Sequence, residues 1–228
     1  MKALRIAFVL MLIAITCCLA AAQDNALSER EQREGWQLLW DGSTWTGWTG
    51  VDENWWKIES GEMITVPGGG GLVETEARYG DFILSLDFMG EKANSGVFVR
   101  IGDPSDPVYT GIEVAIDDSA DWPESDRHET GAIYDCLAPI VNVCKPAGEW
   151  QHMTVYAKDN LLIVVLNDIP VVNMDLNQWT EAHKNPDGSD NKFPTAYKDM
   201  PREGHLGLQH HGQRVHFRNI KLFSIDEE

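Results

Sequence analysis

The sequence predicts an all-β fold, a single domain built as an antiparallel β-sandwich. Three observations carry that prediction. Short segments alternate apolar and polar residues with period two, as Phe82-Ile-Leu-Ser-Leu-Asp-Phe88 does, so one face of each strand packs inward. Turn signals separate these segments at short intervals, with almost no helical period between them. The chain has 228 residues, 43% hydrophobic and 24% charged, which suits one large core and disfavours general disorder.

Met1 to Ala22 carries the marks of a secretory signal peptide (1–22). Lys2 and Arg5 precede an apolar run, Ile6 to Ile15, too short to span a bilayer, and Ala20-Ala-Ala22 supplies small residues for cleavage. A secreted or periplasmic protein is expected, with no membrane association beyond that peptide. Lipoprotein anchoring at Cys17 or Cys18 is the lesser alternative, because Thr16 and Cys17 are poor residues to precede such a cysteine. Gln23 to Glu34 is charged and helical at best, a linker (23–34) before the domain (35–228). Trp36 to Trp40 is expected as a strand, with a turn at Asp41-Gly42. Six of the nine tryptophans precede Lys57. They suit either a sugar-stacking platform or the core and edges of a sandwich, and packing is the commoner use. Trp55–Ile58 and Met63–Val66 form a hairpin, and Gly68 to Gly71 a loop. That loop is no phosphate cradle, since neither Lys-Ser/Thr nor a helix follows it.

Further strands follow around Val97–Ile101, Ile112–Ile116, Met153–Ala157 and Leu206–Leu208. Leu161–Leu166 and Ile169–Met174 pair through a turn at Asn167-Asp168. Val215 to Ile225 closes the domain, and its alternation slips between Phe217 and Ile220, which predicts a bulge. Asn177 to Pro201 is one long irregular insertion, either mobile or a lid over a site. The formal charge of −18 opposes nucleic acid and anionic membrane surfaces as partners, because both need a basic face. Past the signal only Cys136 and Cys144 remain, eight apart. In an oxidising compartment they suit a short disulfide loop, unless an extended segment holds them apart.

The strand Gly111-Ile-Glu-Val-Ala-Ile-Asp117 stands out. Ile112, Val114 and Ile116 face one way, Glu113 and Asp117 the other. A carboxylate on an otherwise apolar strand costs free energy unless it is hydrated, paired or bound to a ligand. Counted strand by strand, the polar alternates would put Arg100, Glu113, Asp117, His152, Tyr156, Gln209 and His211, with Ser85 and Asp87, on one common sheet face. A wet outer face accounts for each of them singly. Together they form a ligand-binding vocabulary. Glu113 and Asp117 lie about 13 Å apart along a strand, with Ala115 between them. An ordinary glycosidase needs two carboxylates about 5–10 Å apart, so this strand cannot supply that pair alone.

Eight short motifs then occur in a familiar order. They are Gly35-Trp-Gln-Leu-Leu-Trp-Asp-Gly42 with Gly47-Trp48, Tyr79-Gly-Asp-Phe82, Asn94-Ser-Gly-Val-Phe-Val-Arg100, Gly111-Ile-Glu-Val114, Thr130-Gly-Ala-Ile-Tyr134, Lys145-Pro-Ala-Gly-Glu-Trp150, Gly207-Leu-Gln-His-His-Gly212 and Phe217-Arg-Asn-Ile220. From Gly35 to about Phe223 the chain resembles the 3-keto-disaccharide hydrolase domain family. The resemblance implies a concanavalin A-like jelly roll of the lectin and glucanase type, secreted bacterial carbohydrate metabolism, and cleavage of glycosides already oxidised to a ketone at C3. Such a ketone acidifies the proton on C2. One base can then remove it, the C1 substituent leaves by elimination, and water adds afterwards. On that basis Glu113, His128 and His211 are the catalytic candidates, with Glu113 as base. The same three would hold a divalent metal if one is used. Arg100, Asp117, His152 and Gln209 are candidates for binding sugar, and Lys145 for steadying negative charge. The sequence departs from the family pattern at Cys136 and Cys144, where small residues are expected, and at His210, which stands where an acid is common. A non-catalytic carbohydrate-binding domain is the competing expectation, since one fold serves both uses. Ala115 disfavours an ordinary endoglucanase.

Overall fold

The computed structural model describes residues 23–123 and 125–225. The signal-peptide expectation lies outside the described residues. Thirteen strands occur among them: β1 (Gln37–Leu38), β2 (Trp48–Thr49), β3 (Trp56–Glu59), β4 (Glu62–Thr65), β5 (Gly71–Thr75), β6 (Phe82–Gly90), β7 (Ser95–Ile101), β8 (Ile112–Ile116), β9 (Gln151–Lys158), β10 (Leu161–Leu166), β11 (Ile169–Asp175), β12 (His205–His210) and β13 (Val215–Ser224). The strand pairings among the described residues are antiparallel. They build one sheet in the order β11-β10-β9-β6-β13-β4-β3, with β1 added on β13, and a second in the order β2-β5-β12-β7-β8. The result is the expected jelly-roll sandwich. No helix among the described residues is long and apolar enough to cross a membrane.

Alternation fixes which side chains fill the space between the sheets. Phe82, Leu84, Leu86 and Phe88 from the larger sheet meet Val97, Val99, Ile112 and Val114 from the smaller, all buried. Trp40, Trp48 and Trp56 are buried in the same cluster, so half of the early tryptophans serve the core. The bulge expected in β13 is present. Its register with β6 shifts between Arg218 and Lys221, and Asn219 takes up a positive φ of 56°.

Three segments whose sequence left their structure open take definite form. The 23–34 segment, expected to be helical at best, carries a short helix and is tied to the domain. Helix α1 (Glu29–Glu34) starts in a Ser28–Glu31 capping box, and Lys221 holds Glu31 at 2.9 Å. The backbone N–H of Asn25 donates to Asn219 Oδ1 at 2.6 Å and that of Asn219 to Asn25 Oδ1 at 2.9 Å, tying the segment to the bulge of β13. Cys136 and Cys144 are both free thiols. Cys136 is buried against Tyr197, and burial pushes its thiol up to about 12, whereas Cys144 Sγ accepts from Gln151 Nε2 at 3.2 Å. Finally, of the two expectations for the insertion 177–201, a mobile loop or a lid over a site, the segment is packed and brings Lys192 near Glu113. Trp179, Phe193, Tyr197 and Met200 are buried, and Asn185 accepts from Trp179 Nε1 at 2.9 Å and from Asn191 at 3.0 Å.

Candidate functional site

The outer face of the smaller sheet is the one that carries Glu113. Cross-strand register sets Glu113 opposite Phe98, Phe98 opposite Gly207, and Gly207 opposite Glu74. The next outward row runs Ala115, Gly96, Gln209 and Leu72. β8 is the edge strand, and the chain covers that edge itself. Tyr134 N–H donates to the Glu113 carbonyl at 3.0 Å, and Ala115 N–H donates to the Ala132 carbonyl at 2.9 Å. Tyr134 is thereby placed beside the Glu113 side chain. The short helix α2 (Pro107–Thr110), between β7 and β8, packs on both strands. The face is therefore partly roofed: Phe98 is fully buried.

Glu113 is only 5% exposed. Its carboxylate leans over Gly96, where a Cβ would come within 2.7 Å of Oε1. A glycine at this position is what lets the carboxylate lie flat on the sheet beside Gln209. Desolvation raises the Glu113 carboxyl to about 7, and the nearby Lys192 ammonium offsets part of that rise. The group is thus divided between its acid and base forms near neutral pH. Lys192 Nζ sits 4.1 Å over the Tyr134 ring and makes no ion pair among the described residues. Burial, then Glu113 and the acids around it, push the Tyr134 phenol above its ordinary range, so it stays a proton donor.

Other candidates are arranged around this pair. His128 meets the edge of the Tyr134 ring at 4.8 Å between centroids, with Nδ1 2.6 Å from Asp126 Oδ1. Asp117 accepts from Asn94 Nδ2 at 3.2 Å, and desolvation raises its carboxyl. Two strands over, Gln209 and His211 line a cavity of about 420 Å³ with Leu72, Pro107 and Val108. Gln209 Oε1 is buried without a partner among the described residues, an acceptor left for a ligand. His210, where the sequence departs from the family pattern, also borders this cavity, but its ring is buried with Nε2 2.7 Å from the Val66 carbonyl oxygen.

Three assigned residues are elsewhere. Arg100 was expected on the common face. Instead the register of β7 with β12 shifts beside it, and its φ is +55°. The bulge swings the guanidinium into the interior, fully buried, where it donates to the Gly80 and Asp159 carbonyls and pairs with Asp81 at 3.0 Å. It ties the two sheets together. His152, with Ser85 and Asp87, does project outward, but from the larger sheet, on the opposite side of the sandwich. Period two gives a face to each strand without saying which sheet the strand joins. Lys145 donates Nζ to the Trp150 carbonyl at 2.9 Å, in the loop before β9, and Lys192 is the ammonium that reaches Glu113. Nor do Glu113, His128 and His211 fit a metal: no group of three such donors converges among the described residues. Lys192 and Tyr134 were missed because both sit on irregular segments, where alternation carries no signal. Only the length of the 177–201 insertion pointed that way.

The model of a family described as the 3-keto-alpha-glucoside-1,2-lyase-like domain matches residues 35–222. A Bacteroides thetaiotaomicron protein named 3-keto-disaccharide hydrolase is 26% identical over 246 residues, covering 91% of this chain and 84% of the relative. Two crystal structures from Parabacteroides distasonis ATCC 8503, each described provisionally as a glycosyl hydrolase, share the architecture. One superposes with a TM-score of 0.73 at 31% identity, over 79% of this chain and 94% of that one. The other gives 0.75 at 25% identity, over 90% and 100%. With most of its length matched by the family model, the chain belongs to the 3-keto-alpha-glucoside-1,2-lyase-like domain family.

Proposed function

We propose that this chain is a secreted enzyme that cleaves 3-keto-glycosides, 3-keto-disaccharides among them, on the outer face of its smaller sheet. The observation that carries the proposal is the Glu113 carboxyl: laid over Gly96, nearly buried, and raised to about 7. A general base works best when its pKa lies near the working pH. Glu113 takes the C2 proton, made acidic by the C3 ketone. The C2–H electrons become an enolate, whose negative oxygen faces the Lys192 ammonium. They then form the C1–C2 double bond and expel the C1 oxygen substituent, which is protonated by Tyr134 or by the Glu113 acid just formed. Water adds to the unsaturated sugar afterwards. Gln209 and His211 bind sugar oxygens. No second carboxylate is needed, in keeping with the Ala115 that separates Glu113 from Asp117.

The test is turnover of a 3-keto-disaccharide against the unoxidised disaccharide, by wild type and Glu113→Gln, each with and without chelator. Turnover of the keto sugar alone, abolished in a folded Glu113→Gln protein, is expected. Binding of either sugar with no turnover would make the chain a carbohydrate-binding domain, and an active Glu113→Gln protein would remove the base from the mechanism.

A further inference from the structure

The outer face of the larger sheet carries a polar centre for which the chemistry above has no use. β6, β9 and β13 are neighbours there. Register sets Asp87 opposite both His152 and Arg218, and sets Ser85 opposite both Thr154 and Lys221. His152 Nδ1 lies 2.7 Å from Asp87 Oδ1, and Asp87 Oδ2 accepts from Asn219 Nδ2 at 2.7 Å. A carboxylate can only accept, so Nδ1 carries the proton and Nε2 the lone pair. Nε2 lies 3.4 Å from Ser85 Oγ and 3.4 Å from Thr154 Oγ1, and of the two hydroxyls the primary one of Ser85 is the less hindered nucleophile. These side chains open into a hollow of about 520 Å³, walled on one side by Trp36 and Glu31 of the N-terminal segment. Although burial pushes the Asp87 carboxyl up, its bonds to His152 and Asn219 outweigh that and hold it below the ordinary carboxylate range. It is an anion whenever His152 has to accept a proton.

The geometry points to a second hydrolytic centre, with Ser85 as nucleophile, His152 as general base and Asp87 as the residue that orients the imidazole, acting on small acyl esters. Ser85 Oγ bonds to the ester carbonyl carbon as its proton passes to His152 Nε2, and the carbonyl oxygen becomes an oxyanion. Collapse breaks the bond to the alcohol oxygen, which leaves with the proton held on His152. Water then attacks the acyl-serine by the same route, releasing the carboxylic acid and restoring Ser85. Lys221 stands directly across from Ser85, and such neighbours have Cβ atoms about 5 Å apart. Its ammonium, bonded to Glu31 at 2.9 Å, is in reach of the oxyanion. The flat ring of Trp36 offers a surface for the alcohol part. A 3.4 Å approach of serine to imidazole is loose, as is usual before a substrate tightens it.

The test uses the whole mature chain. A fluorophosphonate probe is incubated with unaltered protein and the modified peptide located by mass spectrometry. Hydrolysis of p-nitrophenyl acetate is followed for wild type, Ser85→Ala and His152→Ala. Labelling of Ser85, with turnover falling at least tenfold in both variants, is expected. No labelling, labelling of Thr154 or another residue, or a Ser85→Ala protein as fast as wild type would overturn the assignment. Because the labelling needs no variant, a substitution that misfolds cannot hide the answer.

Discussion

Burying a carboxylic acid for use as a base carries a stability cost that Glu113→Gln should reveal. The Glu113 carboxyl titrates at about 7 in the fold, against 4.5 for its ordinary value. Below pH 4.5 it is protonated in both folded and unfolded chains, and nothing is lost. Between pH 4.5 and 7 the unfolded chain releases the proton and the folded chain keeps it, so stability falls as pH rises. Above 7 the loss is complete. At 1.36 kcal/mol per unit it comes to about 3 kcal/mol. Glutamine cannot ionise and keeps nearly the same shape. Relative to wild type, the variant should gain almost nothing at pH 4.5 and about 3 kcal/mol at pH 8. For a domain of this size that is a rise in Tm of about 6–12 °C at pH 8. Paired thermal melts from pH 4.5 to 8.5 measure it. A stability difference that stays flat across this range would show that Glu113 is not the desolvated acid described here. A difference that shrinks as pH rises would show the same.

The Lys192 ammonium lowers the Glu113 carboxyl, so Lys192→Gln should move the midpoint of the kcat/KM pH profile upward from about 7; an unmoved midpoint would separate Lys192 from the base. Arg100→Met removes a buried guanidinium and leaves the Gly80 and Asp159 carbonyls without their donor, which should cost about 1–3 kcal/mol in urea melts with KM for the sugar unchanged, and a raised KM would return Arg100 to the binding face. A chain beginning at Gln23 should show two reactive thiols when unfolded and the same Tm with or without reductant, with Cys144 reacting before Cys136 in the native state; a reductant-sensitive Tm would mean a disulfide.

Period-two alternation made the strands legible, and even the bulge in β13 showed as a slip between Phe217 and Ile220. Glu113 was legible for the same reason: a carboxylate among Ile112, Val114 and Ile116 breaks the pattern. What alternation could not supply was the partition of strands between two sheets. Glu113 and His152 both oppose apolar neighbours, yet they face away from each other across the whole core. Nor could it see that one extra residue in β7 turns Arg100 from the surface to the interior. Lys192 was hidden more deeply, because a loop residue is positioned by packing and not by alternation, here by Trp179, Phe193 and Tyr197 of its own insertion in the core and by its N–H donating to Asp135.

This division into sheets also decides how the site can work. On the proposed mechanism the base must be desolvated to titrate near 7, yet a sugar must still reach it. The smaller sheet meets both needs with few parts. Glu113 lies on the edge strand, where the 131–134 segment shields its backbone and brings Tyr134 alongside. Toward the middle of the sheet, Gly96 leaves the floor beside the carboxylate bare, and Gln209 is left with an open acceptor. Larger side chains at Gly96 would fill the space that the carboxylate and a sugar ring share. The insertion then supplies Lys192, whose charge acts on Glu113 and, on the proposed mechanism, would face the developing enolate. Moving Glu113 to the exposed face of the larger sheet would lower its pKa toward 4.5 and leave a base too weak for a ketone-activated C–H bond.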